Sequence, residues 1–183
     1  MSKRVLVILA SGFEEIEAVT QIDVLVRAGL EVSIASVGDL MVKGSRSIKI
    51  CADIKIDDIN PDFDACVLPG GAQGASNLSA SIKVSSLLKD MNHKGKLIAA
   101  ICASPAIVLS PLGILKDKKA TCYPGMQDRF SGDTTYIEKE VVVDGNIITS
   151  RGPATALWFG IAIVEALCGE EKAAGLKKEL LLT

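Results

Sequence analysis

Apolar and polar positions along the chain follow two periods. Val5–Ala10, Ala65–Leu68 and Leu97–Ile101 are short unbroken apolar runs bounded by turn formers, the pattern of strands buried on both faces of a parallel sheet. Helical spacing runs from about Glu14 to Ala28 and stops at Gly29, and again over residues 81–92. Glu31–Ser36 is a further strand, so the first 36 residues predict a βαβ unit with a right-handed crossover. Residues 41–56 alternate loosely, as a small β excursion would. Residues 140–143 and 147–150, joined by Asp144-Gly145-Asn146, predict a hairpin. Pro153 opens a helix through about Leu167, stopped by Gly169, and a last helix covers roughly 170–181. Residues 121–130 lack a clear period. The whole predicts a single α/β domain over residues 1–183, with a mostly parallel sheet between helical layers.

Composition changes this picture little. Apolar residues make up 49% of the chain but aromatic ones only 4%, so the core must be built from Val, Ile, Leu and Ala. The formal net charge is −2 and no basic tract is present, which argues against nucleic acid and anionic lipid as partners. The apolar run at residues 5–10 is too short for a signal-peptide core or a membrane span, so a cytoplasmic protein is expected. Five cysteines at wide spacings, no CxxC pair and a single histidine make a zinc site or a disulfide framework improbable. No dinucleotide or Walker motif occurs, and neither a metal nor a cofactor is expected.

The chemistry centres on Cys102. It stands where the strand 97–101 gives way to the predicted helix beginning Ala103-Ser104-Pro105, a strand-to-helix joint of the nucleophile-elbow kind. Ala100 and Ser104 are small, as a tight turn needs. A thiol facing the positive end of a helix is expected to ionise readily. In an open parallel sheet, sites form at the carboxyl ends of the strands. Ser11–Glu15, Pro69–Gly74 and Cys102 all follow strands at that edge. Glu14, Glu15 and Glu17 cluster at the start of the first helix, and one turned inward beside a thiolate would have its pKa raised. Spacing does not say which. Gly70 and Gly71 can turn backbone N–H groups toward an anion and, with Ala103 N–H, form an oxyanion hole.

His93 bears on peptidase chemistry. It lies at the amino end of the strand that carries Cys102 at its carboxyl end, roughly 17 Å away at about 3.3 Å per residue. A Cys–His dyad within one chain is therefore disfavoured, and with it peptidase activity. Arg46 and Arg151 are candidate anion clamps, and Trp158-Phe159 belongs to an apolar helix face.

Four stretches together resemble the DJ-one/ThiJ/PfpI superfamily, closest to its Parkinson-associated deglycase branch. They are Val5–Glu17, Val67-Leu68-Pro69-Gly70-Gly71, Ala99–Pro105 and Thr149-Ser150-Arg151-Gly152-Pro153. The resemblance spans essentially the whole chain. It implies a flavodoxin-like three-layer sandwich, usually a homodimer, with Cys102 as the reactive residue and Glu15 as its carboxyl partner. Gly71 and Ala103 then supply backbone N–H groups, Arg46 and Arg151 lie near the pocket, and Cys51 is a secondary oxidisable cysteine near the dimer interface. Two activities follow from the resemblance. One is cofactor-free glyoxalase or protein-deglycase chemistry on methylglyoxal-type 2-oxoaldehydes, linked to oxidative stress. The other is a redox sensor or redox-regulated chaperone in which peroxide oxidises Cys102 to a sulfinate. Where many glyoxalase-competent members carry a histidine, this chain has Tyr123, a poor base at neutral pH with an unperturbed pKa near ~10.

Overall fold

Every residue of Val5–Ala10, Ala65–Leu68 and Leu97–Ile101 is buried, so both faces of the sheet they form are covered. The structure, a computed structural model, describes residues 2–60 and 62–182. In chain order the strands and helices are β1 (Arg4–Ala10), α1 (Glu15–Arg27), β2 (Glu31–Val37), β3 (Met41–Lys43), β4 (Lys49–Cys51), β5 (Ile54–Lys55), β6 (Ala65–Leu68), α2 (Ala72–Ala80), α3 (Ile82–His93), β7 (Leu97–Ile101), β8 (Lys119–Ala120), β9 (Thr135–Tyr136), β10 (Val141–Asp144), β11 (Ile147–Ser150), α4 (Ala156–Cys168) and α5 (Glu170–Glu179). The main sheet runs β10-β11-β7-β6-β1-β2-β5, parallel throughout except for the β10–β11 hairpin. Helices α1, α4 and α5 pack together as one layer, and α2 and α3 form another.

Strand order places the site. After β1 the chain moves outward through β2 to β5, then returns to build β6, β7 and β11 on the other side of β1. The loops leaving β1 and β6 therefore diverge at their carboxyl ends and open a crevice there. Residues 41–51 make the β3–β4 hairpin at this edge, where Gly12 N–H donates to Lys43 O at 2.8 Å and Ser45 N–H to Phe13 O at 2.8 Å.

Two segments come out beyond or apart from the sequence pattern. Residues 72–80, to which the pattern assigns no element, form helix α2. Its sequence, AQGASNLSA, interrupts good helix formers with Gly74, Ser76, Asn77 and Ser79, and tertiary packing helps to hold it. Gly74, Ala75 and Leu78 are buried, and a Cβ on Gly74 would come within 2.7 Å of Phe13 Cα, so only glycine permits this approach to the β1 loop. The helix predicted after Cys102 is a single wide turn at Pro105–Leu109, in which Ser110 N–H reaches back to Pro105 O at 3.0 Å. Five residues of such a turn offer little of a helix dipole.

Candidate functional site

Cys102 ends β7 and turns the chain. Its N–H still belongs to the sheet, donating to Ser150 O at 2.9 Å, and its C=O accepts from Tyr123 N–H at 2.8 Å. Between these bonds its φ is +64°, the left-handed region that a residue with a side chain occupies at a cost of about 1–3 kcal/mol. The two backbone bonds hold it there, and the buried Ser104 Oγ–Pro69 O bond ties the next residues to the loop after β6. Cys102 is only 8% exposed.

The carboxylate that meets this thiol is Glu17, not Glu15. Glu14 caps α1 by accepting Glu17 N–H at 2.8 Å, which sets the phase of the first turn. Glu17 then points inward, fully buried, and its Oε2 accepts Gly70 N–H at 2.7 Å while facing the Cys102 sulfur. Glu15 is also buried but turns to the β3–β4 hairpin, accepting from Ser45 Oγ at 3.0 Å and from Arg46 N–H. The sequence carries a signal for this assignment. Glu17, Gln21, Val24 and Ala28 repeat at helical spacing on the buried face, so Glu17 is in phase with the core.

Glycine 70 is required by closeness. A Cβ there would lie 2.5 Å from Cys102 Cβ and 2.8 Å from Glu17 Oε2. Its N–H is taken by Glu17, so it does not serve an oxyanion. The backbone N–H groups that address the Cys102 sulfur are those of Gly71 and Ala103, and Gly71 reaches this position with a φ of +86°.

Burial pushes the Cys102 thiol up to about 12, the nearby Glu17 carboxylate adds to this, and the Gly71 and Ala103 N–H groups oppose it. Burial likewise pushes Glu17 up to about 7, against the Gly70 N–H bond. The sequence expectation of a thiol depressed by a helix dipole is therefore reversed. The pair retains protons because two anions cannot share a dry site. A proton moved from sulfur to Glu17 leaves a thiolate facing a neutral acid and two N–H donors, which is how this geometry can make a nucleophile. For Glu15, burial alone would raise the pKa, but the bonds from Arg46 N–H and Ser45 Oγ outweigh it and hold the carboxyl below its ordinary value.

Other predicted residues lie further out. Tyr123 is 47% exposed and Arg151 half-buried. They share a surface hollow of ≈ 290 Å³ with Pro124, Glu140, Pro153 and Thr155, among whose lining residues Cys102 does not figure. Arg151 Nη2 pairs with Glu138 at 3.2 Å. Arg46 is exposed, and the bond it contributes is its backbone N–H to Glu15. Cys51 is exposed on β4, opposite Met41. His93 ends α3, and β7 runs from that end toward Cys102. Among the described residues no three metal-ligating side chains gather, and no helix is long and apolar enough to cross a membrane.

Known proteins resemble the chain over nearly its whole length. The chain is 46% identical over 181 residues to Protein DJ-1 homolog B of Arabidopsis thaliana, covering 98% of this chain but 41% of the plant protein. It thus spans less than half of that relative's length. It is 45% identical over 185 residues to the Parkinson disease protein 7 homolog of Danio rerio, covering 98% of this chain and 97% of the relative. It is 39% identical over 171 residues to the Glutathione-independent glyoxalase DJR-1.2 of Caenorhabditis elegans, covering 92% and 90%. Drosophila melanogaster DJ-1beta superposes with a TM-score of 0.96 at 43% identity, covering 100% of both chains. Oxidized Toxoplasma gondii DJ-1 superposes with a TM-score of 0.95 at 41% identity, covering 98% of both. Residues 3–166 match the DJ-1/PfpI family, and together with these relatives they show that the chain belongs to it.

Proposed function

We propose that this protein converts methylglyoxal-type 2-oxoaldehydes to 2-hydroxy acids through Cys102, without a cofactor. The observation that carries the reading is the meeting of the Cys102 sulfur, the Glu17 carboxyl and the Gly71 and Ala103 N–H groups in one buried crevice. The thiol passes its proton to Glu17, and the thiolate adds to the aldehyde carbon. Glu17 gives that proton to the oxygen as the hemithioacetal forms and is a carboxylate again. It then removes the hydrogen on that carbon and returns it to the adjacent carbonyl carbon, while the hydroxyl proton of the first carbon passes to the oxygen of the second. The first carbon is oxidised to a thioester and the second reduced to an alcohol. Water cleaves the thioester, releasing lactate and regenerating the thiol. The glyoxalase name of the worm relative supports this class of substrate. Deglycation of adducts formed by the same aldehydes is a finer form of the same chemistry.

A second reading has its own support. The chain's one histidine is His93, at the far end of β7, so no imidazole stands ready beside the thiol. Oxidation needs none. Two equivalents of peroxide would convert the Cys102 thiolate to a sulfinate and release two waters. Its oxygens would accept from Gly71 and Ala103 N–H and from a protonated Glu17, giving a redox sensor or a redox-regulated chaperone. Five free thiols suit a reducing, cytoplasmic setting for either reading. We also propose a homodimer. Exposed Val19 and Val26 on α1 line a groove of ≈ 360 Å³ with Ile50 of β4, the residue before Cys51.

The test is methylglyoxal consumption and lactate formation in glutathione-free buffer by wild type, Cys102→Ser and Glu17→Gln. Turnover in wild type alone supports the enzyme. Turnover at the wild-type rate in Cys102→Ser overturns the role of Cys102. No turnover in any of the three, with conversion of wild-type Cys102 to sulfinate by mild peroxide, establishes the sensor instead.

A further inference from the structure

The tip of the β3–β4 hairpin is built around one carboxylate. Glu15, only 4% exposed in the first turn of α1, accepts from Ser45 Oγ at Oε2, 3.0 Å away, and from Arg46 N–H at Oε1. Gly44 packs against the same group, where a Cβ would lie 2.5 Å from Glu15 Cδ. The tip closes on itself through Gly44 N–H to Ile48 O at 2.8 Å and Ser47 N–H to Gly44 O at 3.1 Å, with Ser47 at a φ of +74°. A residue with a side chain keeps that conformation only where its surroundings over-determine it. Two donors meet two oxygens here. An ionised carboxylate satisfies both, and an amide does not, because its nitrogen cannot accept.

The hairpin is bonded in turn to the loop after β1. Gly12 N–H donates to Lys43 O and Ser45 N–H to Phe13 O, each at 2.8 Å. On its other side that loop bears on the glycines after β6. Glu14 N–H donates to Gly70 O at 3.0 Å and Gly74 N–H to Gly12 O at 3.1 Å. A Cβ on Gly71 would lie 2.9 Å from Glu14 N and 3.0 Å from Phe13 C. Backbone packed this closely on backbone passes a displacement on instead of absorbing it. The last segment of the series carries the Gly71 N–H that addresses the Cys102 sulfur.

We propose that Glu15 is a positioning residue for the Cys102 site: by holding the hairpin tip it braces the β1 loop against Gly70 and Gly71 and keeps the Gly71 N–H aimed at the sulfur. This rests on the Cys102 chemistry of the proposed function. Glu15 spends its oxygens on the hairpin and acts on the thiol through backbone alone. Ala103, the other donor to the sulfur, lies outside this series. Its C=O accepts Ile107 N–H at 2.9 Å, and Ser104 beside it donates to Pro69 O.

The experiment records the Gly71 and Ala103 amide resonances by NMR, and the acidity of the Cys102 thiol by thiolate absorbance as a difference from Cys102→Ser. Wild type is compared with Glu15→Ala, Glu15→Gln, Ser45→Ala and Ser45→Thr. Loosening the hairpin should displace the Gly71 resonance and leave that of Ala103 in place. A thiolate that loses one donor should leave the thiol about fivefold less acidic. The direction is diagnostic, because removing the Glu15 charge would by itself make the thiol more acidic. Ser45→Ala changes no charge at an exposed position and should act in the same direction, while Ser45→Thr keeps the hydroxyl and should restore both signals. Should the Glu15 variants not fold, the two Ser45 variants decide the matter. An unmoved Gly71 resonance, or a thiol as acidic as in wild type or more so, overturns the role of Glu15. Methylglyoxal turnover is measured alongside, and kcat should fall about fivefold with KM little changed. Absence of turnover in wild type would overturn the proposed enzyme, while the Gly71 and thiol signals still decide on Glu15.

Discussion

Replacing Glu17 by glutamine should make the protein's stability less dependent on pH, by an amount the site itself sets. In the folded chain burial pushes the Glu17 carboxyl from an ordinary value of 4.5 to about 7. In the unfolded chain it titrates normally. Below the unfolded value both states hold the proton, and the group contributes nothing. Between 4.5 and about 7 the unfolded chain releases the proton and the folded one keeps it, so stability falls as pH rises through this window. At ~1.4 kcal/mol per pH unit the accumulated cost is on the order of 3 kcal/mol near pH 7. Glutamine cannot ionise, yet its carbonyl can still accept Gly70 N–H. Glu17→Gln should therefore gain on wild type by on the order of 3 kcal/mol between acid and neutral pH. Urea denaturation of both proteins under reducing conditions, across this window, measures that difference. Contributions from Glu15 and Asp64 cancel, since both proteins carry them. A difference between the two proteins that does not change with pH would refute the reasoning, and would mean that Glu17 is ionised beside the thiol.

Three further outcomes are expected. Gly70→Ala puts a Cβ 2.5 Å from Cys102 Cβ; it should cost about 1–3 kcal/mol in a denaturant melt and slow Cys102 alkylation about tenfold or more, whereas wild-type alkylation would show that the crevice can yield. Glu15→Ala removes the acceptor for Ser45 Oγ and Arg46 N–H and should cost about 1–2 kcal/mol at neutral pH. Because hydrogen bonding lowers the folded pKa of Glu15, that cost is present above the ordinary carboxyl range and fades as pH falls through the folded value; equal costs at neutral and strongly acid pH would refute this. Tyr123→His should raise kcat/KM for methylglyoxal about tenfold or more if an imidazole at that position serves as a base, and an unchanged value in steady-state assays would place the side chain out of reach.

Much of the fold was legible because its cues are local. Uninterrupted apolar runs marked β6 and β7 to the residue, and Gly29 and Gly169, both at positive φ, follow α1 and α4 as expected. Cys102 was legible for the same reason, as a thiol between a buried strand and a proline-initiated turn. Helix α2 was not, because Gly74, Ser76, Asn77 and Ser79 weaken the local helix signal and the segment is held by Gly74 and Ala75 against the β1 loop. The carboxyl partner was misassigned between neighbours. Glu15 and Glu17 differ only in helical phase at a first turn, and that phase is set by the Glu14 cap and by the packing of Gln21 against Ala156.

Most of the strands and helices, their order and the presence of a thiol at the end of a central strand follow from local sequence. Periodicity and turn chemistry depend on residues within one or two turns of each other, and the chain carries them openly. What that thiol meets is settled by the assembled fold. Residues 17, 70 and 102 come from helix α1, the loop after β6 and the turn after β7, brought together by the strand order β7-β6-β1, and their burial raises both the carboxyl and the thiol where local sequence suggested a ready thiolate. Desolvation belongs to the assembled crevice, and no stretch of chain possesses it alone.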